Sequence, residues 1–294
     1  MNEMNLGYKN IIDEFNNYAF EKIPIYLKKI PNRYFEAIEY TLKAGGKRIR
    51  PLIIFFAGKM FSIDKKLLFD IGIALETLHT ASLIHDDLPA IDDDDFRRGV
   101  PTCHKVFGED IAILAGDGLI FLAFEILSKL SVSPEVKETL IKEFSELGGL
   151  SGMVRGEVKD VLMTGGTFSL GEVIEMYEDK TGALFGFAFE AGAICALEHT
   201  KAKQLKEIGK NFGVAFQIFD DIKDVTGDFK KIGKTPGKDE KQNKPTVVKL
   251  LGLENAKELA EDYYSKSMTS LKNFDESEDL IDFLNVIKSL LIER

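Results

Sequence analysis

Tryptophan is absent from the 294 residues, and cysteine occurs only twice, as Cys103 and Cys195. Two isolated cysteines provide no disulfide framework and fit a reducing compartment. With only four histidines, no histidine cluster is available to a zinc site. Glycine and proline act as punctuation rather than forming tracts, which excludes low-complexity and collagen-like classes. A basic excess is missing as well: 38 Lys and Arg stand against 48 Asp and Glu, and the net charge of −10 argues against nucleic acid as the main partner. Long apolar runs are lacking too. GLIFLAF at 118–124 ends at a charge, far short of the roughly 18 residues that span a bilayer. The N-terminus, MNEMNLGYKNIIDEF, is amphipathic and acidic, unlike a signal peptide. These absences lead to the expectation of a soluble, cytoplasmic protein with no membrane span.

What remains is a large apolar complement in a helical pattern. Hydrophobic residues make up 45%, including 22 Phe, enough for a sizeable core. Helical periodicity covers roughly 5–28, 33–45, 49–61, 66–88, 109–130, 134–163, 170–196, 200–226, 246–271 and 277–292. No alternating strand pattern persists and no solenoid repeat shows. The expected fold class is all-α, about ten helices in one domain over residues 1–294. The helix at 110–127 is apolar all round, which marks it as core, a subunit interface, or both.

Two acidic stretches carry the chemistry. IHDDLPAIDDDDFRRG, ending at Gly99, holds Asp86, Asp87 and Asp92 to Asp95, followed by Arg97 and Arg98. Pro89 disfavours helical geometry at Leu88, so the preceding helix stops there and Asp92 can fold back beside Asp86. Like charges about 4 Å apart repel by roughly 1–4 kcal/mol, so the cluster is either a solvated acidic loop or a divalent-cation site. Its all-oxygen donor set favours Mg²⁺ or Mn²⁺ over zinc. The second stretch, FQIFDDIKDVTGD at 216–228, puts Gln217, Asp220, Asp221 and Asp224 on one helical stripe. Phe216, Ile218, Phe219, Ile222 and Val225 take much of the remaining circumference and predict a largely buried helix. Two helix-borne Asp-Asp pairs can face each other across a cavity, and a metal ion would bridge acidic side chains to an acidic ligand.

Other segments read two ways. GGKRIRP at 45–51 holds Lys47, Arg48 and Arg50 on a tight connection, either a solvated basic turn or a phosphate site. His79 shares a helical face with Asp86, as a satisfied core histidine or a phosphate contact. Gly149, Gly152 and Gly156 would let another helix approach closely, and Lys180 with Thr181 opens an apolar helix where a lysine needs an anion. The Lys- and Gly-rich segment 227–245 is a linker or a lid closing on phosphates. GKT at 233–235 fails the Walker A spacing. The acidic run fails the calcium-loop pattern, because counting Asp92 as the first position puts Arg97 where glycine is needed.

Taken together, the two Asp motifs, GGKRIRP and FQIFDDIKDVTGD resemble those of the trans-isoprenyl (polyprenyl) diphosphate synthase family, of the bacterial farnesyl and geranylgeranyl type. SLIHDDLPAIDDDDFRRGVPTCH matches the family's first aspartate-rich motif in its DDxxxxD form, and FDDIKD matches the second. The resemblance implies an all-α isoprenoid synthase fold around a deep central cavity, a homodimer, and three Mg²⁺ ions, with Mn²⁺ able to substitute. It implies that Asp86 and Asp92 hold two ions and Asp220 the third, Asp224 supporting through water. Arg97, Lys180, Gln217 and Lys234 would face the allylic diphosphate, and Lys47, Arg50, His79 and Arg98 would bind isopentenyl diphosphate. Thr181 would help to stabilise the allylic cation.

In this family an aromatic residue five before the first Asp often floors the cavity. Here that position is Ala81, followed by Ser82, with Thr77 and Leu78 one turn deeper. A C15 product is expected, with C20 as the alternative. Glu157 stands where the family usually has glutamine, and Val247 replaces a common aromatic. Rival classes are a class I terpene cyclase, an HD-type phosphohydrolase suggested by His85-Asp86, a non-catalytic regulatory subunit, and a simple divalent-ion binder.

Overall fold

A computed structural model describes residues 3–226 and 244–292. Lys234, Asp228 and the GKT triplet lie outside these residues. The described chain is all-α, apart from one two-residue hairpin. It divides into two compact units.

The first unit comprises described residues 3–52 and 65–131. It holds helices α1 (Glu3–Tyr26), α2 (Asn32–Lys43), the start of α3 (Ile49–Lys59), α4 (Lys65–Asp86), the short α5 (Cys103–Phe107) and α6 (Glu109–Ser128). Strands β1 (Phe96–Arg97) and β2 (Val100–Pro101) pair antiparallel, with Arg97 opposite Val100. Helices α4 and α6 form the core of the unit, so close that a Cβ on Gly116 would lie 2.1 Å from His85 Nε2. Phe15 of α1 meets Phe69 of α4 edge-on at 5.4 Å. Residue averages make both α4 and α6 long and apolar enough to cross a membrane, although no uninterrupted run does so. The most apolar window of α4 is 72% buried within the protein, which marks it as a core helix. The corresponding window of α6 is only 44% buried. Ala115, Leu119, Leu122 and Ile126 of α6 are buried, whereas Ile113, Leu114 and Phe121 face outwards, Phe121 at 77% exposure. The apolar helix is therefore core on one side and an exposed hydrophobic face on the other.

The second unit comprises residues 53–64, 132–226 and 244–292. The pattern over 134–163 is not one helix. It is α7 (Pro134–Gly148) and α8 (Met153–Met163), separated by a turn through Gly149 and Gly152. Of the three glycines, Gly156 admits another element, whereas Gly149 and Gly152 lie against the backbone of α7. Likewise 170–196 is α9 (Leu170–Tyr177), a π-turn (Glu178–Gly182) and α10 (Ala183–Cys195). Then come α11 (His199–Thr226), α12 (Val247–Leu251), α13 (Leu253–Leu271) and α14 (Glu278–Ile292), with Gly252 at φ 77° dividing the expected 246–271 helix. Helix α10 is buried all round and packs along α11, where Phe185 meets Phe212 at 5.2 Å. Phenylalanine fills this core in place of the missing tryptophan. Starts are set by local chemistry: Ser169 forms a reciprocal capping box with Glu172, and Ser133 precedes Pro134 at the first turn of α7.

Candidate active site

The first aspartate motif folds back as its proline requires. Helix α4 ends at Asp86, and Leu88 N donates to His85 O at 3.1 Å, closing the last turn. Asp92 N then donates to Asp86 O at 2.8 Å, and Asp94 N to Asp87 O at 3.1 Å. Those bonds place Asp92 beside Asp86. Asp87, which the sequence did not single out, is buried and holds Arg97: Nε at 2.7 Å and Nη2 at 2.5 Å from Oδ1. Burial raises the Asp87 carboxyl, while Arg97 pulls it back down. Arg97 Nη2 also lies 3.6 Å from Asp94.

Close by, the GGKRIRP turn separates its cations. Arg48 is 5% exposed and pairs with buried Glu76 at 2.8 Å, with Asn16 Oδ1 and Leu42 O taking further donors. It is a structural cation, so the basic turn does not offer all three of its charges to a ligand. Arg50 points instead to His79, its Nη1 3.2 Å from Nε2. Burial lowers Arg50 to about 10, and Arg98 adds to the effect against Glu76. His79 is pushed well below its usual range by burial and then by Arg50, Arg98, Arg97 and Arg48. At neutral pH it is uncharged and takes a hydrogen bond from Arg50 at Nε2. Arg98 donates to Gly45 O, with its guanidinium beside Gly46. Arg50, His79 and Arg98 thus converge, whereas Lys47 sits exposed on the turn. Guanidiniums that depress one another are stabilised by an anion.

On α4 itself, Thr77 and Ala81 are fully buried, Leu78 nearly so, and Ser82 half-buried, with its hydroxyl donating to His79 O at 2.9 Å. His85 Nε2 lies 3.1 Å from Ile113 O, a contact that requires its proton and leaves that nitrogen unable to ligate a metal.

In the second unit the π-turn presents Lys180 and Thr181, and a π-turn within a helix often marks a functional site. Gly156 of α8 makes room for it, since a Cβ there would lie 2.1 Å from Lys180 N. Lys180 Nζ meets Asp160 at 2.6 Å and Glu157 at 2.7 Å. Asp160 also takes Lys244 at 3.3 Å. Thr181 Oγ1 donates to Gln217 Oε1 at 2.7 Å, and Gln217 Nε2 donates to Asp221 at 3.1 Å. Asp221 accepts in addition from Tyr177 OH, which itself receives Val247 N at 3.3 Å. Asp160 and Tyr177 were not expected in this role, and polar residues in apolar helices gave no signal for it. Of the aspartate stripe, Asp221 orients Gln217, while Asp220 is half-buried and Asp224 is 7% exposed. Val225 is 60% exposed, so this end of α11 is less buried than its pattern predicted.

Among the described residues, no three His, Cys, Asp or Glu side chains converge as a closed metal cage. Zinc or calcium would call for such a cage. Mg²⁺ is held by one or two carboxylates and completes its shell with water and phosphate oxygens, and the adjacent Asp86 and Asp92 fit that pattern. Burial pushes both cysteine thiols up to about 12, away from the thiolate form that makes a cysteine reactive.

Comparison with known proteins agrees with this chemistry. Residues 31–284 match the Polyprenyl synthetase family. A farnesyl diphosphate synthase of Micrococcus luteus is 41% identical over 294 residues, covering 99% of this chain and 97% of that one. A chloroplastic geranylgeranyl pyrophosphate synthase of Capsicum annuum is 40% identical over 251 residues, 84% of this chain and 68% of that one. In three dimensions the chain is similar to a Helicobacter pylori geranyltransferase complexed with magnesium and isoprenyl diphosphate. The TM-score is 0.86 at 31% identity, with 100% of this chain and 99% of that one covered. With the match spanning most of its length and both aspartate motifs in place, the chain belongs to the polyprenyl synthetase family.

Proposed function

We propose that this chain is a short-chain trans-prenyltransferase, a farnesyl diphosphate synthase condensing isopentenyl diphosphate with dimethylallyl or geranyl diphosphate. The observation that carries the reading is the fold-back of Asp92 onto Asp86 through a 2.8 Å backbone hydrogen bond, next to cationic side chains. Residues 1–294 are read as one catalytic domain, in keeping with a family match over residues 31–284.

Asp86 and Asp92 would hold two Mg²⁺ and Asp220 a third, with Asp224 in support; Mn²⁺ could substitute. When bound, Mg²⁺ would supply charge neutralisation at the leaving diphosphate, favouring ionisation of the allylic C–O bond. Arg97, Lys180, Gln217 and Lys234 bind that diphosphate. Lys47, Arg50, His79 and Arg98 bind isopentenyl diphosphate, and a neutral His79 donates from its other nitrogen without adding charge to the guanidiniums. Thr181 keeps a lone pair towards the allylic cation because its proton is committed to Gln217. The double bond of isopentenyl diphosphate attacks the cation, and the proton lost afterwards goes to released diphosphate. No side-chain nucleophile is needed, and the protein supplies electrostatic stabilisation and excludes water.

The exposed apolar face of α6 supports a homodimer, the two isolated cysteines support a reducing, cytoplasmic compartment, and the net charge of −10 argues against nucleic acid as a partner. One observation favours a second reading for product length. Ala81 is small at the position where the resemblance places an aromatic floor, which would allow a C20 product.

The test is incubation with Mg²⁺, isopentenyl diphosphate and allylic diphosphates from C5 to C15, with product lengths read by mass spectrometry after dephosphorylation. Metal-dependent elongation stopping at C15 is expected, and a stop at C20 would select the second reading. Asp86→Ala and Asp220→Ala should each lower turnover by about 10²–10³-fold or more. Hydrolysis or cyclisation without elongation would overturn the assignment.

A further inference from the structure

Asp179 and Lys180 are adjacent in the π-turn and carry opposite charges, and α8 answers both. Arg155 and Lys159 of α8 hold Asp179, the first by Nε at 2.8 Å and the second by Nζ at 2.7 Å. Glu157 and Asp160, three residues apart on the same helix, hold Lys180. The two carboxylates are not equivalent. Asp160 is shared with Lys244 and is 8% exposed at its side chain. Glu157 reaches Lys180 through Oε2 only, and its Oε1 is buried with no hydrogen-bond partner among the described residues. A buried carboxylate oxygen without a donor is costly, and a neutral amide at this position would accept the same hydrogen bond from Lys180. Asp160 already holds the ammonium at 2.6 Å. What Glu157 adds is a second negative charge. Among these four side chains it brings the local sum to zero, two lysines against two carboxylates, where glutamine would leave one positive charge.

We propose that Glu157 is a positioning residue that weakens the hold of Lys180 on the allylic diphosphate, by competing with that anion for the ammonium. The inference rests on Lys180 binding the allylic diphosphate, as proposed above. It makes the site a deliberately loose one, in which the lysine is held in place yet part of its charge is already matched.

The test is a steady-state comparison of the unaltered enzyme, Glu157→Gln, Lys180→Met and the double variant, with KM measured separately for geranyl and isopentenyl diphosphates. Glu157→Gln is expected to lower the geranyl diphosphate KM by about three- to thirtyfold. The isopentenyl diphosphate KM should stay within about twofold, because the charge acts locally. In the Lys180→Met background the same change should have less than half of its logarithmic effect, since the shared ammonium is gone. Glu157→Ala also removes the charge and carries the same expectation should the glutamine variant not fold. A geranyl diphosphate KM that is unchanged or raised by both neutral variants, while Lys180→Met raises it, would overturn the role of Glu157 and leave Lys180 as a substrate ligand. If Lys180→Met leaves that KM unaltered, the lysine assignment itself fails. An equal fall in both substrates' KM would mark a general electrostatic effect and would also overturn the proposal.

Discussion

Arg48 and Arg50 are two positions apart in one basic turn, yet their environments give them opposite roles. Arg48 takes a left-handed backbone (φ 49°) and directs its guanidinium inwards, onto Glu76, Asn16 and Leu42 O. Both members of the Arg48–Glu76 pair are under 10% exposed at their side chains, so neither charge has water as an alternative partner. Arg48→Ala should therefore destabilise the protein by about 3–5 kcal/mol, mainly by leaving Glu76 buried and uncompensated. The denaturant midpoint at unchanged m-value measures this, and a loss below about 1 kcal/mol would show that Glu76 finds another partner. Arg50 points instead to His79, its Nη1 3.2 Å from Nε2, and feels Glu76 as a favourable charge and Arg98 as an opposing one.

At the level of elements, three helices of the second unit are tied by one charge cluster, of which Glu190 is the buried member. Lys206 of α11 bonds Glu143 of α7 at 2.6 Å, while Glu190 of α10 lies farther off at 3.6 Å. Glu190 is 1% exposed, and burial pushes its carboxyl from 4.5 up to about 8. In the folded protein it keeps its proton at neutral pH, whereas the unfolded chain has already released it. Between about pH 4.5 and 8 the unfolded state binds fewer protons, so this group lowers stability as pH rises. Glu190→Gln keeps a neutral side chain of the same shape and removes that slope. Its Tm should exceed that of the unaltered protein at pH 8, by roughly 2–4 °C per kcal/mol relieved, with the difference vanishing towards pH 5. A constant difference across the range would mean that Glu190 is charged and paired with Lys206.

For the whole molecule, the exposed face of α6 is the feature with the largest consequence. Phe121 is 77% exposed, with Ile113 and Leu114 alongside, on a helix whose other face is core. Large exposed apolar patches mark interaction sites. The proposed homodimer predicts that Phe121→Asp shifts the protein from dimer to monomer in light scattering at micromolar concentration, with the helical circular dichroism retained. An unchanged dimer would place the interface elsewhere. The same outward face explains how a helix with the average hydropathy of a membrane span fits a globular fold: its apolar surface is divided between a core and a second surface.

Most of the fold was legible because the helices are amphipathic or apolar runs with a 3.6-residue period, and that period survives any tertiary arrangement. Breaks inside the long patterns were not legible. The turn at Gly149 to Gly152, the π-turn before α10 and the split at Gly252 interrupt periodicities that continue on either side, and only packing against neighbours reveals them. The hairpin at Phe96 to Pro101 was missed because two-residue strands carry no alternation. Within the site, the fold-back of Asp92 followed from Pro89 alone, and the stripe of Gln217, Asp220, Asp221 and Asp224 followed from helical geometry alone. Sequence by itself therefore determined the helical class, the family and the two aspartate motifs, all of them local patterns. Tertiary structure decided what each charge meets: Arg48 meets Glu76, Arg97 meets Asp87, Asp221 meets Tyr177 and Gln217, and Lys180 meets Glu157 and Asp160. The physical reason is that the energy of a charge is set by what lies within about 4 Å of it, and those neighbours come from distant parts of the chain.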